Sequence, residues 1–168
     1  VMKKLLATVA ILISTSAHAQ YVKSNRLDSL IWQEINVYRL SLGVYPVKKF
    51  NTDALRKRSY QLTDLNATLP QIDHTHGDSK FVGYDTECIY VFKTRGPFVS
   101  TKYNLNAITD VLLKEIAKMV VASWIKSPNH NYLISSASVA ESTVTSIMES
   151  DKDYFRITVS YHDLLKRR

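Results

Sequence analysis

The sequence predicts an α+β fold: a three-layer α-β-α sandwich in which helices cover both faces of a small, mainly antiparallel sheet. Two long segments, near residues 27–42 and 106–126, carry apolar residues at spacings of three and four, which is typical of amphipathic helices. A run rich in Ile, Tyr, Val and Phe at residues 86–94 predicts a buried strand. Two segments near 139–148 and 154–161, the second of which alternates apolar and polar residues, predict a hairpin.

The first 19 residues have the features of a signal peptide. Lys3 and Lys4 form a basic start, and the apolar run from Leu5 to Ile13 is too short to span a bilayer. Ala17-His18-Ala19 fits a signal-peptidase site. The sequence therefore predicts a signal peptide at 1–19, a single domain at 20–168, and a secreted or periplasmic location.

Charge and hydropathy restrict the partners. Removal of the two leader lysines lowers the formal charge from +7 to +5, and the remaining excess is scattered in short clusters. No basic helix with interleaved aromatic residues is present, so we expect no nucleic-acid partner. No later stretch is apolar over 18 residues, so we expect no transmembrane segment after cleavage. An envelope or lipid component is compatible with the basic clusters.

The first helix should end at Gly43, and Pro46 prevents its continuation. Asn51 or Thr52 is a cap for a second helix, whose apolar residues are Leu55, Leu62 and Leu65. The third helix is expected to bury one stripe: Ile108, Leu112, Ile116, Met119, Val120 and Ser123. The last strand is expected to bury one face, which leaves His162 exposed at its end.

A corner between two helices is predicted at residues 124–130. Ser127 can cap a new helix and Pro128 fits its first position. His130 then lies in the first turn, where the positive end of the helix dipole favours the neutral imidazole. A neutral imidazole is suited to bind a metal or accept a proton, and the alternative is a polar residue without such a role.

Further candidate ligands lie upstream of this corner. His74 and His76 stand in a polar loop, and a His-x-His pair binds one metal when a third ligand converges on it; the alternative is two solvated histidines. Glu87 is an acid beside an apolar strand and should need a partner. Cys88, the only cysteine, excludes an intrachain disulfide and is expected to be buried.

Several of these pieces, in order, resemble bacterial members of the CAP superfamily, the SCP/PR-1-like extracellular domains. Trp-x-x-Ser-Pro-x-His at 124–130 is similar to a family segment. The family's first helix and the turn after it resemble Glu34 to Arg39 with Gly43, Val44 and Pro46, and its second helix resembles the region of Leu55 and Ser59. The resemblance extends from about Leu27 to Leu164 and implies the same three-layer sandwich.

The resemblance also implies a cleft in which two histidines and two acids can hold a divalent metal. Its members here would be His76 (or His74), Glu87 and His130, a set adequate for Zn²⁺ or another divalent cation. Glu115 is a candidate second acid or a surface residue. The family's Gly-Glu-Asn is Thr86-Glu87-Cys88 in this chain. The family equivalents of Asn36 and Arg39 stabilise the helix exit and do no chemistry.

Three functions follow from this reading. The first is an exported CAP-domain protein whose cleft binds a ligand or a divalent metal, without implied catalysis. The second is a metal-dependent, protease-like hydrolase using the same cleft, although the chain lacks His-Glu-x-x-His and Gly-x-Ser-x-Gly motifs and no catalytic residue is assigned. The third is an envelope, lipid or partner-binding module that acts through its surface.

Overall fold

The computed structural model describes residues 20–49, 57, 60–61, 63, 66–67, 86–96, 103–150 and 154–165. Of Gln20, Thr86, Glu87 and Leu165 only the backbone is described. The predicted signal peptide, the loop that carries His74 and His76, and the hairpin turn at 151–153 lie outside these ranges, as do the cap and the three apolar leucines of the predicted second helix.

Five strands and three helices have defined bounds. In chain order they are β1 (Gln20–Lys23), α1 (Asn25–Ser41), β2 (Lys48–Lys49), β3 (Thr86–Arg95), α2 (Asp110–Lys126), α3 (Pro128–Ser135), β4 (Val139–Ser150) and β5 (Tyr154–Leu165). Between β2 and β3 the described residues from 57 to 67 are also helical. None of the helices in the described ranges has the length and apolar character needed to cross a membrane.

The sheet is built around the C-terminal hairpin. Its order is β1-β4-β5-β3, and β2 adds to the same edge of β4 as β1. Four of the strands pair antiparallel, whereas β2 pairs parallel to β4 at Glu141 and Ser142. The predicted mainly antiparallel sheet is therefore confirmed.

Helices cover both faces of this sheet. The first face carries Phe155, Ile157, Val159 and Tyr161 of β5, which pack in one core with α1, α2 and α3. On the second face, Thr63 bonds the hydroxyls of Thr145 and Ser160 at 2.9 Å each, and Arg156 donates to the carbonyls of Asn66 and Ala67. The α+β, three-layer arrangement predicted from the sequence is thus present.

The expectation that β5 buries only one face is wrong. Its second face consists of Arg156, Thr158, Ser160 and His162, and all four are buried. His162 is 0% exposed, although we predicted from the sequence that it is exposed to solvent. The helical residues Thr63, Asn66 and Ala67 cover part of this face, because they hydrogen-bond to Ser160 and Arg156.

The buried stripe of α2 also differs from the prediction. The helix begins at Asp110 after the cap Thr109, and its buried residues are Leu113, Ile116, Ala117, Val120, Val121 and Trp124. Ser123 is exposed, and Ile108, Leu112 and Met119 are only half-buried. Apolar residues occupy more than one side of this helix, so periodicity alone did not select the face that packs on α1 and the sheet.

Asn36 and Arg39 stabilise the exit of α1 through hydrogen bonds, as the family resemblance implied. Asn36 Oδ1 accepts from the Val47 N–H at 2.9 Å, and its amide donates to the Val47 carbonyl at 3.4 Å. Arg39 Nε donates to the Tyr45 carbonyl at 2.9 Å. Gly43 has a φ of 71°, a backbone conformation that favours glycine, so the chain reverses there.

Candidate functional site

The predicted corner between two helices lies at the end of α2. Ser127 is the N-cap residue of α3 and Pro128 occupies the first turn, as expected. The Ser127 side chain, however, accepts no capping hydrogen bond. Trp124 is buried, its Nε1 donates to the Ile89 carbonyl at 3.5 Å, and its ring lies 6.0 Å from that of Tyr161. This tryptophan therefore fixes the corner against β3 and β5.

His130 lies in the first turn of α3 and is half-buried. Its carbonyl oxygen is 4.0 Å from the Sγ of Cys88, the third residue of β3. One residue later, Asn131 accepts a hydrogen bond from the Tyr38 hydroxyl at 2.8 Å, which holds α3 on α1. The first turn of α3 is thereby placed beside the beginning of β3, one residue from Glu87.

The sheet register gives Glu87 a neighbour that the sequence reading missed. Glu87 is the partner of His162 in β5, and His162 is the partner of Thr143 in β4. Cys88, at the next position, is the partner of Tyr161 on the first face and is buried, as predicted. The polar alternation of β5 did not indicate this pairing, because the register of two distant strands is not contained in the spacing of residues.

Several ionisable side chains in this part of the domain are buried: Arg39, Cys88, Tyr161 and Asp163. Burial raises the pKa of Tyr161, and the nearby Asp163 and Cys88 add to that effect. Burial lowers the pKa of Arg39, while Tyr161 and Asp163 oppose that change. Arg39, 1% exposed, and Asp163, 0% exposed, are thus two polar side chains buried inside the domain.

The candidate ligands are only partly within the described ranges. His74 and His76 lie outside them, and so does the side chain of Glu87. Glu115 is exposed on α2, about 13 Å along the helix axis from Trp124. Among the side chains that the structure describes, no group of three His, Cys, Asp or Glu could hold a metal ion. A metal at His130 would therefore need the Glu87 carboxylate and a histidine of the 74–76 loop, donor types that fit Zn²⁺.

A separate groove of about 540 Å³ lies at the exit of α1. It lies between the link from α1 to β2 and the beginning of β4. Its lining residues are Arg39, Gly43, Val44, Tyr45, Pro46, Lys48, Ala137, Val139, Ala140 and Glu141.

Comparison with known proteins identifies similarity of structure rather than similarity of sequence. The fold is similar to that of an outer surface protein from Borrelia burgdorferi, with a TM-score of 0.59 and 14% identity over 88% of this chain and 99% of that one. A cysteine-rich secretory protein from Staphylococcus aureus matches with a TM-score of 0.46 and 19% identity over 83% of this chain and 38% of that one. No protein-family profile and no curated protein sequence matches the chain.

Proposed function

We propose that this chain is an exported CAP-domain protein whose cleft, formed by His130, Glu87 and His76 or His74, binds a ligand or a divalent metal without a catalytic step. The observation that carries the proposal is the contact between the His130 carbonyl and Cys88 Sγ. It brings the beginning of β3, and with it the backbone of Glu87, to the first turn of α3. Two of the family-like segments, the one at 124–130 and the strand that begins with Thr86-Glu87-Cys88, are adjacent here.

The fold supports the CAP assignment. The two helical layers around a mainly antiparallel sheet are those that the resemblance implies. Asn36 and Arg39 hold the exit of α1, which is the role implied for them.

Two features support a secreted or periplasmic location. The strand β1 begins at Gln20, the residue that follows the predicted cleavage site, and pairs with the end of β4. Gln20, the predicted first mature residue, is therefore part of the sheet. The structurally similar Borrelia protein is an outer surface protein, and an exported location of this chain agrees with that.

In the proposed cleft the protein's own residues supply the binding chemistry. The helix dipole at the first turn of α3 favours a neutral His130, which is the form that coordinates a metal. The Glu87 carboxylate would supply a negative charge and a histidine of the 74–76 loop a second imidazole. A bound divalent cation would supply a Lewis acid. Binding alone needs no further group.

The proposal is tested by calorimetric titration of Zn²⁺ into the mature chain at pH 7. His130→Ala, His76→Ala and His74→Ala are compared with Asn129→Ala, a matched control because Asn129 is the exposed neighbour of His130 in the same turn. Glu115→Gln tests the candidate second acid. We expect binding at one site, a loss of at least about tenfold for His130→Ala, and an unchanged affinity for Asn129→Ala.

The loop histidine whose removal weakens binding is the ligand. If Glu115→Gln retains full affinity, Glu115 is a surface residue. An affinity that is the same in His130→Ala and in the unaltered chain would refute a cleft at the α2–α3 corner. Circular dichroism of each variant separates loss of binding from loss of folding.

A further inference from the structure

Arg39 has more hydrogen-bond donors than its structural role uses. Its Nε donates to the Tyr45 carbonyl, and its Nη1 donates to the carbonyls of Ile134 and Ser136 at 2.9 and 3.0 Å. Within the part of the chain that the structure describes, Nη2 forms no hydrogen bond. A guanidinium carries five N–H donors, and two of them belong to this nitrogen.

The same arginine lines the groove at the exit of α1. It is 1% exposed, so any group that reaches it from the groove meets a cation in a site with little water. Charge-assisted hydrogen bonds to such a cation are stronger than bonds between neutral groups. Lys48 adds a second cation to the groove wall.

The other lining residues of the groove determine which shape and charge of ligand it can accept. Val44, Pro46, Val139 and Ala140 give an apolar lining, and Tyr45, 85% exposed, stands at the rim. Glu141 lies opposite Lys48 in the register of β2 and β4, so its carboxylate disfavours a second negative charge on the ligand. A volume of about 540 Å³ is within the range of small-molecule sites.

We infer that this groove is a binding site for an organic monocarboxylate with an apolar body, held by Arg39 Nη2 and Lys48. The carboxylate of a free organic acid and that of a peptide C-terminus share this chemistry. The site is distinct from the proposed cleft at His130 and does not depend on it.

The probes are phenylacetate, N-acetyl-L-phenylalanine and the amide of the latter, each titrated into ¹⁵N-labelled mature chain. We expect both carboxylates to shift the amide signals of residues 43–48 and 137–141. The amide lacks the charge, and inorganic phosphate has no apolar body and carries more than one charge. We expect each to bind at least about tenfold more weakly. Tighter binding of N-acetyl-L-phenylalanine than of phenylacetate identifies a peptide C-terminus as the better ligand, and the reverse identifies a free acid.

Two matched pairs of variants localise the site. Lys48→Ala removes a cation that lines the groove, whereas Lys49→Ala removes its neighbour, which does not line it and donates to Ser29 instead. Ala137→Trp places an indole in the groove, whereas Ser138→Trp places one beside it on an exposed residue. We expect weaker binding in the first member of each pair and unchanged binding in the second.

These variants avoid the removal of Arg39, whose three carbonyl contacts the fold requires. Equal binding of the acid and its amide would overturn the inference, and so would equal effects of Lys48→Ala and Lys49→Ala. His130→Ala should leave the titration unchanged, so failure of this site and failure of the Zn²⁺ cleft are distinguishable.

Discussion

Asp28 should be one of the residues on which the stability of this domain most depends. It lies in the first turn of α1 and is 0% exposed. Its two carboxylate oxygens accept hydrogen bonds of 2.6 Å each, one from the Ser146 hydroxyl on β4 and one from the Tyr60 hydroxyl. A single side chain thus joins a helix of the first face, the central sheet and the helical segment of the second face.

The magnitude follows from these contacts. A hydrogen bond to a charged group contributes about 1.5–3 kcal/mol, and a buried donor left without its acceptor adds a desolvation cost. Ser146 is 0% exposed and Tyr60 is half-buried, so the first bond should contribute more than the second. We expect Asp28→Ala to lower the free energy of unfolding by about 3–4 kcal/mol, and Asp28→Asn by about half as much because one acceptor oxygen remains.

Urea unfolding followed by tryptophan fluorescence measures this loss, because Trp124 is buried and Trp32 half-buried. Asp110→Ala is the control, since Asp110 is also an aspartate in the first turn of a helix but is exposed. A double-mutant cycle with Ser146→Ala isolates the buried bond. If Asp28→Ala costs no more than Asp110→Ala, the assignment of a stabilising role to burial is refuted.

Two further predictions concern a surface ion pair and the single thiol. Arg26 donates two hydrogen bonds to Asp110, at 2.7 and 3.2 Å, and thereby lowers the pKa of that carboxyl. We expect an NMR titration midpoint below the ordinary value of 3.8 that returns to it in Arg26→Ala; the stabilisation is present above the unfolded-state pKa and is lost as the pH falls through the folded-state pKa. Cys88 is fully buried, so an aromatic disulfide reagent should label the native chain only at the rate of unfolding and label it at once in concentrated urea; rapid labelling without urea would contradict its burial.

The sequence was sufficient to predict the elements that are apolar on one side. The strand at 86–95, the hairpin and the corner at Ser127 and Pro128 are all present, because each depends on local spacing or on a local cap. The helix end at Gly43 was also predictable, since a helix must end where its backbone groups find other partners. The role of Asn36 and Arg39 at the α1 exit was implied by the family resemblance alone.

The second face of the sheet was not predictable in the same way. Thr143, Thr145, Thr158 and Ser160 form a pattern that is typical of a solvated strand face, yet all are buried. What buries them is a helical segment some eighty to a hundred positions earlier in the chain, which bonds to them through Thr63. A pattern within one strand contains no information on such a distant cover.

The candidate site also has a part that local sequence signals predict and a part that depends on long-range contacts. The position of His130 in the first turn of α3 followed from Pro128, a local signal. The pairing of Glu87 with His162, and the groove that Arg39 lines, depend on register and on contacts between distant segments. Neither has a signature in the spacing of residues.

The order of strands in the sheet determines when the domain can fold. The two central strands, β4 and β5, come from the last thirty residues of the chain, whereas β1 and β3, which flank them, come earlier. As the chain is synthesised, each of the earlier strands that the structure describes therefore lacks its partner until the hairpin of β4 and β5 emerges. A chain interrupted before Val139 should have helical segments but no sheet, and assembly of this domain waits for its C-terminal end.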